Sequence, residues 1–194
     1  MRILDATKLC CERFGIAKAS VDDIAAEAKV SRATLYRLYP GGKDVLFDAL
    51  RVRELEEFFA ELKVAVDGAD NLEDLLVATV VAATNGLRND QHLGIMLMSE
   101  PGETLAQLTV SGVPRIIRMA TLFLSPMVDP YLDRRGATQL VDVLARLIIS
   151  YFLAPSDTID LGDPESARIF IRSHVLPTIH APVATPTSVI RRPR

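Results

Sequence analysis

Apolar residues recur at intervals of three and four along nearly the whole chain, and polar breaks divide the pattern into helical segments. Ile3, Leu4, Thr7, Cys10, Cys11 and Phe14 mark one face of a first helix over residues 2–14, which Gly15 ends. Residues 20–43 predict two short helices around a tight turn. Ser20 with Asp23 makes a capping-box-like start, and Ile24, Ala25 and Ala28 form the first apolar stripe. Ser31 caps the second helix, whose inward stripe is Leu35, Leu38 and Tyr39. Pro40 stops it, and Gly41-Gly42 turn the chain. A long helix then runs from Lys43 to about Val66, with Val45, Leu46, Ala49, Leu50, Leu55, Phe58, Phe59, Leu62 and Val66 at helical spacing.

Asn71 with Asp74 caps a helix through about Leu87 that is apolar nearly all round, the pattern of a bundle centre. A short Met-rich segment over 90–99 closes at Pro101, and a helix follows over Glu103–Val110. The next starts near Pro114 and stops before Pro126. Residues 135–153 carry Ala137, Leu140, Val141, Leu144, Leu147, Ile148, Tyr151 and Phe152. Asp163-Pro164-Glu165 opens a last helix with Ala167, Phe170, Ile171 and His174 on one side, ended by Pro177. No repeat or strand pattern interrupts this. The chain is therefore expected to be all-α: a helix-turn-helix unit over 1–48, a larger helical body over 49–177 and a flexible tail over 178–194.

Composition changes the picture in one respect. The 194 residues are 49% hydrophobic with a net charge of −3, but residues 1–53 hold ten Lys/Arg against seven Asp/Glu. The basic share sits with the short helix pair, so the overall acidity does not exclude nucleic acid. Cys10 and Cys11 are adjacent, lack metal-ligand spacing and read as small buried hydrophobes. No signal peptide is visible, and the longest strongly apolar run, around Leu75–Ala83, is too short to span a bilayer. A cytoplasmic protein without membrane contact is expected. His92, His174 and His180 have no zinc spacing, and neither a Gly-rich phosphate loop nor a Gly-x-Ser-x-Gly elbow occurs. No catalytic residue, metal ligand or cofactor is assigned, and no enzyme is expected.

On the second short helix, Arg32, Ala33, Tyr36 and Arg37 project together opposite Leu35. A guanidinium bonds guanine bidentately, and a small side chain touches a thymine methyl. The free N–H groups at the Ser31 end suit a phosphate. Scattered charges would mark an ordinary surface pair; here caps, turn length and outward chemistry agree. These residues resemble the TetR/AcrR-type transcriptional regulators. Ile3, Leu4, Ala6, Gly15, Ser20, Ile24, Ala25, Ala28, Val30, Ser31, Thr34, Leu35, Tyr36, Tyr39 and Lys43 match that family's N-terminal pattern over about the first quarter of the chain.

The resemblance implies a homodimeric, ligand-responsive DNA-binding regulator, most often a repressor, on a pseudo-palindromic operator. It implies phosphate contacts at Ser20, Thr34, Tyr36 and Lys43 and base contacts at Arg32, Ala33 and Arg37. Lys29 stands where Gly is usual in the turn, Leu38 replaces a frequent His, and Gly42 is a weaker cap than Ser. With φ > 0, Lys29 bears a strain of roughly 1 kcal/mol while its charge faces a phosphate.

For the body, the resemblance implies an effector site and a dimer built from the last two helices. Asn85, His92, Met96, Met98, Arg115, Met119, Phe123, Tyr151 and Phe152 either line an adaptable pocket or fill the core. Arg115 and Arg118 either hold a ligand carboxylate or phosphate or form a solvated face. Leu140, Leu144, Leu147, Tyr151, Ala167, Phe170, Ile171 and His174 serve either the dimer or the internal core. A hydrophobic or amphipathic small molecule is the expected effector. Two alternatives stay open. One is a small-molecule-binding or enzymatic helical protein whose head does not read DNA, favoured by Lys29, Leu38 and the lack of a basic arm before the first helix. The other is a regulator controlled by a partner protein.

Overall fold

The computed structural model describes residues 2–180, and no strand occurs among them. The helices are α1 (Arg2–Phe14), α2 (Val21–Glu27), α3 (Arg32–Leu38), α4 (Lys43–Val66), α5 (Leu72–Asn89), α6 (Gln91–Ser99), α7 (Pro101–Thr109), α8 (Val113–Val128), α9 (Arg134–Leu153) and α10 (Pro164–Phe170). A widened π-type turn over Ile171–Val175 leads into α11 (Leu176–His180).

Helix starts are written in the sequence. Ser20, Ser31, Asn71, Asp90, Asp133 and Asp163 each accept a hydrogen bond from the backbone N–H three residues on. Each such cap contributes about 1 kcal/mol. Helix ends are less legible. α8 continues through Pro126 because the carbonyl deprived of its donor belongs to Leu122, which lies on the solvent side at 71% exposure. The last helix likewise passes Pro177: the π-type turn resets the ladder, and Pro177 falls in the first turn of α11, where an N–H is dispensable. Residues 178–180 are thus helical, and the rest of the expected tail, 181–194, lies outside the described residues.

Two cores form. The smaller joins Ile3, Ala6, Cys10, Cys11, Ile24, Ala25, Leu35, Leu46 and Phe47 from α1–α4, and Met96 of α6 reaches into it. The larger gathers Phe59, Leu62, Leu76, Val80, Leu124, Val141, Leu144, Phe170 and Ile171 around α5, which packs against α4, α9 and α10. By length and composition α9 is apolar enough to cross a membrane. Its stripe of Ala137, Leu140, Val141, Leu144 and Ile148 is buried in this core instead. Burial raises both thiols of the small core, Cys11 up to about 12, so neither is a reactive thiolate near neutrality.

α10 is tied to the start of α5 by charge. Arg168 Nη1 donates to Glu73 at 2.7 Å and Asp74 at 2.8 Å, and Arg172 Nε donates to Glu73 at 2.9 Å. Arg172, then Arg168, holds the Glu73 carboxyl below its ordinary value; Arg168, then Asn71, does the same for Asp74. A depressed carboxylate stabilises the fold above its unfolded pKa and loses that contribution as pH falls through the folded one. The melting temperature is therefore expected to fall between about pH 5 and about pH 3, and more shallowly in the Glu73→Gln/Asp74→Asn double variant. Thermal melts across that range check this.

Candidate nucleic-acid interface

The outward face of the helix pair follows from one buried residue. Leu35 has no exposed surface, and with it fixed inward, Ser31, Arg32, Ala33, Tyr36 and Arg37 all lie exposed on the seven-residue α3, with Thr34 half-buried. Leu38, expected on the inward stripe, is 55% exposed and turns outward beside them. The helix is too short for a second buried turn, and Tyr39 completes the apolar side.

The turn that sets α3 against α2 is closed by two bonds. The N–H of Lys29 donates to the Ala26 carbonyl at 3.1 Å and that of Val30 to Ala25 at 3.0 Å. This is a Schellman closure, which needs a left-handed residue at its centre. Lys29 supplies it with φ 54°, so the strain expected of a lysine there is present. Its side chain is exposed and unpaired among the described residues.

The groove-facing groups differ in how they are held. Arg32 Nη1 donates to both Asp22 oxygens at 3.1 Å, and its guanidinium lies 5.6 Å from the Tyr36 ring centroid. Arg37 has no partner among the described residues. Ser31 Oγ is occupied in capping Thr34 and lies 2.9 Å from the Thr34 hydroxyl, while Ser20 and Asp23 form a complete capping box. Lys43, expected at a phosphate, donates to the Ala17 carbonyl at 2.8 Å and lies over the Phe47 ring. Gly42 has a reason that cap chemistry did not show. Its φ is 68°, and a Cβ there would stand 3.2 Å from the Tyr36 ring.

The surroundings fit known proteins. Residues 3–50 match the family model for bacterial regulatory proteins of the tetR family. Over that first quarter the chain is similar to the TetR family. An uncharacterised HTH-type transcriptional regulator of Mycobacterium tuberculosis (strain CDC 1551 / Oshkosh) is 31% identical over 99 residues, which is 51% of this chain and 50% of that protein. The chain thus spans about half the length of the curated relatives it matches. In three dimensions it is similar to the TetR family repressor AlkX from Dietzia sp. Strain DQ12-45-1b, implicated in biodegradation of n-alkanes. That likeness has a TM-score of 0.65 at 20% identity, over 92% of this chain and 93% of the other. The SmeT–triclosan complex gives 0.52 at 20% identity, over 95% of each chain.

In this chain the head is clamped to the body. Glu100, at the α6–α7 corner, accepts the Ala17 N–H at 2.9 Å, so Ala17 is held by Glu100 on one side and Lys43 on the other. His92 lies between Glu12 of α1 at 3.2 Å and Glu54 of α4 at 3.7 Å. The body encloses a cavity of about 220 Å³ walled by Leu55, Phe59, Leu62, Leu124, Val141, Leu144 and Ile148, with Arg51, Glu54, Asp90, Gln107 and Arg115 around its rim.

Of the nine body residues expected at a pocket, Arg115 lines this cavity and the other eight do not. Asn85 donates to the Gly162 carbonyl at 3.0 Å, His92 bridges head and body, and Met96 fills the head core. Met98 is 88% exposed, and Met119 packs on the body core. Phe123 stacks on Phe59, Tyr151 meets Phe170 edge-on, and Phe152 joins a small cluster with Leu108, Val113 and Ile149. Arg118 is exposed and away from the cavity. The α4 lining was visible as periodic apolar residues, without any residue type to mark it as a wall.

The expected dimer stripe divides too. Leu140, Leu144, Ala167, Phe170 and Ile171 are buried in the chain's own core, while Leu147 and Tyr151 are half-buried and His174 is exposed. The apolar residues left at the surface nearby are Val143 and Ile169, at 48% and 59% exposure.

Releasing the left-handed lysine should stabilise the head. Lys29→Gly is expected to raise the unfolding free energy by roughly 0.5–1 kcal/mol, the αL penalty less the extra backbone entropy of glycine. Urea denaturation checks it; a loss of stability would mean that the Lys29 side chain makes a compensating contact.

Proposed function

We propose that the chain is a cytoplasmic, homodimeric transcriptional repressor that binds a pseudo-palindromic operator and is released by a small apolar or amphipathic effector. The observation that carries this reading is α3, where Arg37, unpartnered among the described residues, stands exposed beside Arg32, Ala33 and Tyr36 on the side opposite the buried Leu35. Arg37, Arg32 and Ala33 read base edges, whereas Ser20, Ser31, Thr34, Tyr36 and Lys29 position the backbone. Lys43 contributes by fixing the head loop through Ala17. The unit over 1–48 docks on DNA, and the body over 49–177 binds effector and partner.

The dimer forms through the outer faces of α9 and α10, where Val143, Leu147, Tyr151, Ile169 and His174 leave apolar surface that the core does not cover. Two heads then enter successive major grooves about 34–36 Å apart. The effector occupies the body cavity. Its release of DNA is a coupling free energy, so DNA weakens the effector by the same factor. AlkX, a repressor of this fold, supports the direction of control, and SmeT, solved as a complex with triclosan, supports the kind of ligand.

The test is selection from random duplex DNA, followed by salt titration of the enriched pool. An enriched palindrome with a steep salt slope is expected. Arg37→Ala should cost about 1–3 kcal/mol and relax preference at one position per half-site. Weak binding with no enrichment would contradict the reading. Equal weakening by Arg37→Ala on every sequence would reduce that residue to a phosphate contact.

A further inference from the structure

We propose that the effector is a monoanionic amphipath whose carboxylate takes Arg115 and Arg51 over from Asp48. This rests on the cavity being the effector site. The cavity's inner wall is hydrocarbon: Phe59, Leu62, Leu124, Val141, Leu144 and Ile148 offer an apolar tail no polar partner. Its volume, about 220 Å³, is half as large again as the cavity of about 150 Å³ that admits benzene, so it takes a tail and head of roughly nine heavy atoms.

The rim supplies the charge. Arg51 of α4 and Arg115 of α8 both line it, and one carboxylate oxygen already serves both: Asp48 Oδ1 stands 2.9 Å from Arg51 Nη1 and 3.5 Å from Arg115 Nη2. A site that one carboxylate bridges from the outside is open to another arriving from within. Among the described residues Arg115 has no other ion partner, and its contact is at the outer limit of a hydrogen bond, so most of its five donors remain available. Glu103 stands 3.8 Å from Arg51 Nη2, but the rim acids leave Arg115 unneutralised. Glu54 lies against Lys8 at 3.2 Å and His92 at 3.7 Å, and Asp90 Oδ1 accepts the Leu93 N–H. A ligand carboxylate reaching both guanidiniums makes the short, charge-assisted bonds that Asp48 makes only to Arg51.

The exchange is also regulatory. Asp48 follows Phe47 and precedes Leu50, both packed in the head end of α4, so its link to Arg115 ties that end to α8. Binding of the anion replaces this outer tie with one from within, through Arg51 of α4 and Arg115 of α8, and so resets α4 against α8. An uncharged molecule of the same length leaves the outer tie intact.

The test compares octanoate, 1-octanol and octylamine on the full chain by calorimetry, for wild type, Arg115→Met and Asp48→Asn. Wild type should bind octanoate about tenfold more tightly than either other probe. Arg115→Met should abolish that preference while changing 1-octanol affinity by less than about twofold. Asp48→Asn should tighten octanoate alone, because it removes the competing carboxylate; a merely structural Asp48 would not do this. Equal binding of 1-octanol or octylamine, or an unchanged preference in Arg115→Met, overturns the proposal. So does absence of binding by all three probes; if the wild type still holds its selected duplex, the regulator reading stands without it. The predicted preference with no duplex enriched would uphold the ligand class and sink the regulator.

Discussion

One uninterrupted helix belongs to both cores. α4 runs 24 residues without an internal Gly or Pro, so its hydrogen-bond ladder is continuous. Its first turns bury Leu46 and Phe47 against α1–α3, and its last turns bury Phe59, Leu62 and Val66 against the body. Between them lies the cavity rim, with Arg51, Glu54 and Leu55. A ligand at that rim therefore touches the one element that cannot shift at one end alone.

A single helix would still allow the head to sway, and a second tether limits this. Met96 inserts into the head core, and the Ala17 peptide is held through both its N–H and its carbonyl. The ion pairs along this seam, Arg53–Asp5 and Lys8–Glu54, are partly exposed and individually worth about 0–1 kcal/mol. They set register; apolar burial supplies most of the hold. The orientation of α3 is thereby a property of the body as much as of the head.

What was legible in the chain follows the same division. Capping residues and periodicity located α1, α4 and the helix pair, and the left-handed Lys29 was foreseeable from the resemblance, which puts Gly at that place in the turn. Leu38 was misplaced because a seven-residue helix offers too few turns for its stripe to declare a face. The cavity was not legible, since the wall is made mostly of ordinary aliphatics, with Phe58 and Phe59 of α4, brought together by packing and marked by no residue type. A periodic stripe marks the inward face, so it led to Leu140, Phe170 and Ile171, while the uncovered apolar residues Val143 and Ile169 stand just off it. Pro126 and Pro177 misled because solvent or a reset turn relieves the missing N–H.

The claim that head and body move as one piece is open to a direct measurement. Lys18 in the head and Glu165 in the body are exposed, whereas Cys10 and Cys11 are buried with raised thiol pKa values and resist labelling. Spin labels on a Lys18→Cys/Glu165→Cys variant, diluted with unlabelled protein, report the intramolecular separation by pulsed electron resonance. One narrow distance distribution is the predicted result. A broad distribution would mean that the head swings independently of α4 and the α6–α7 corner, and would contradict the coupling on which this account of control depends.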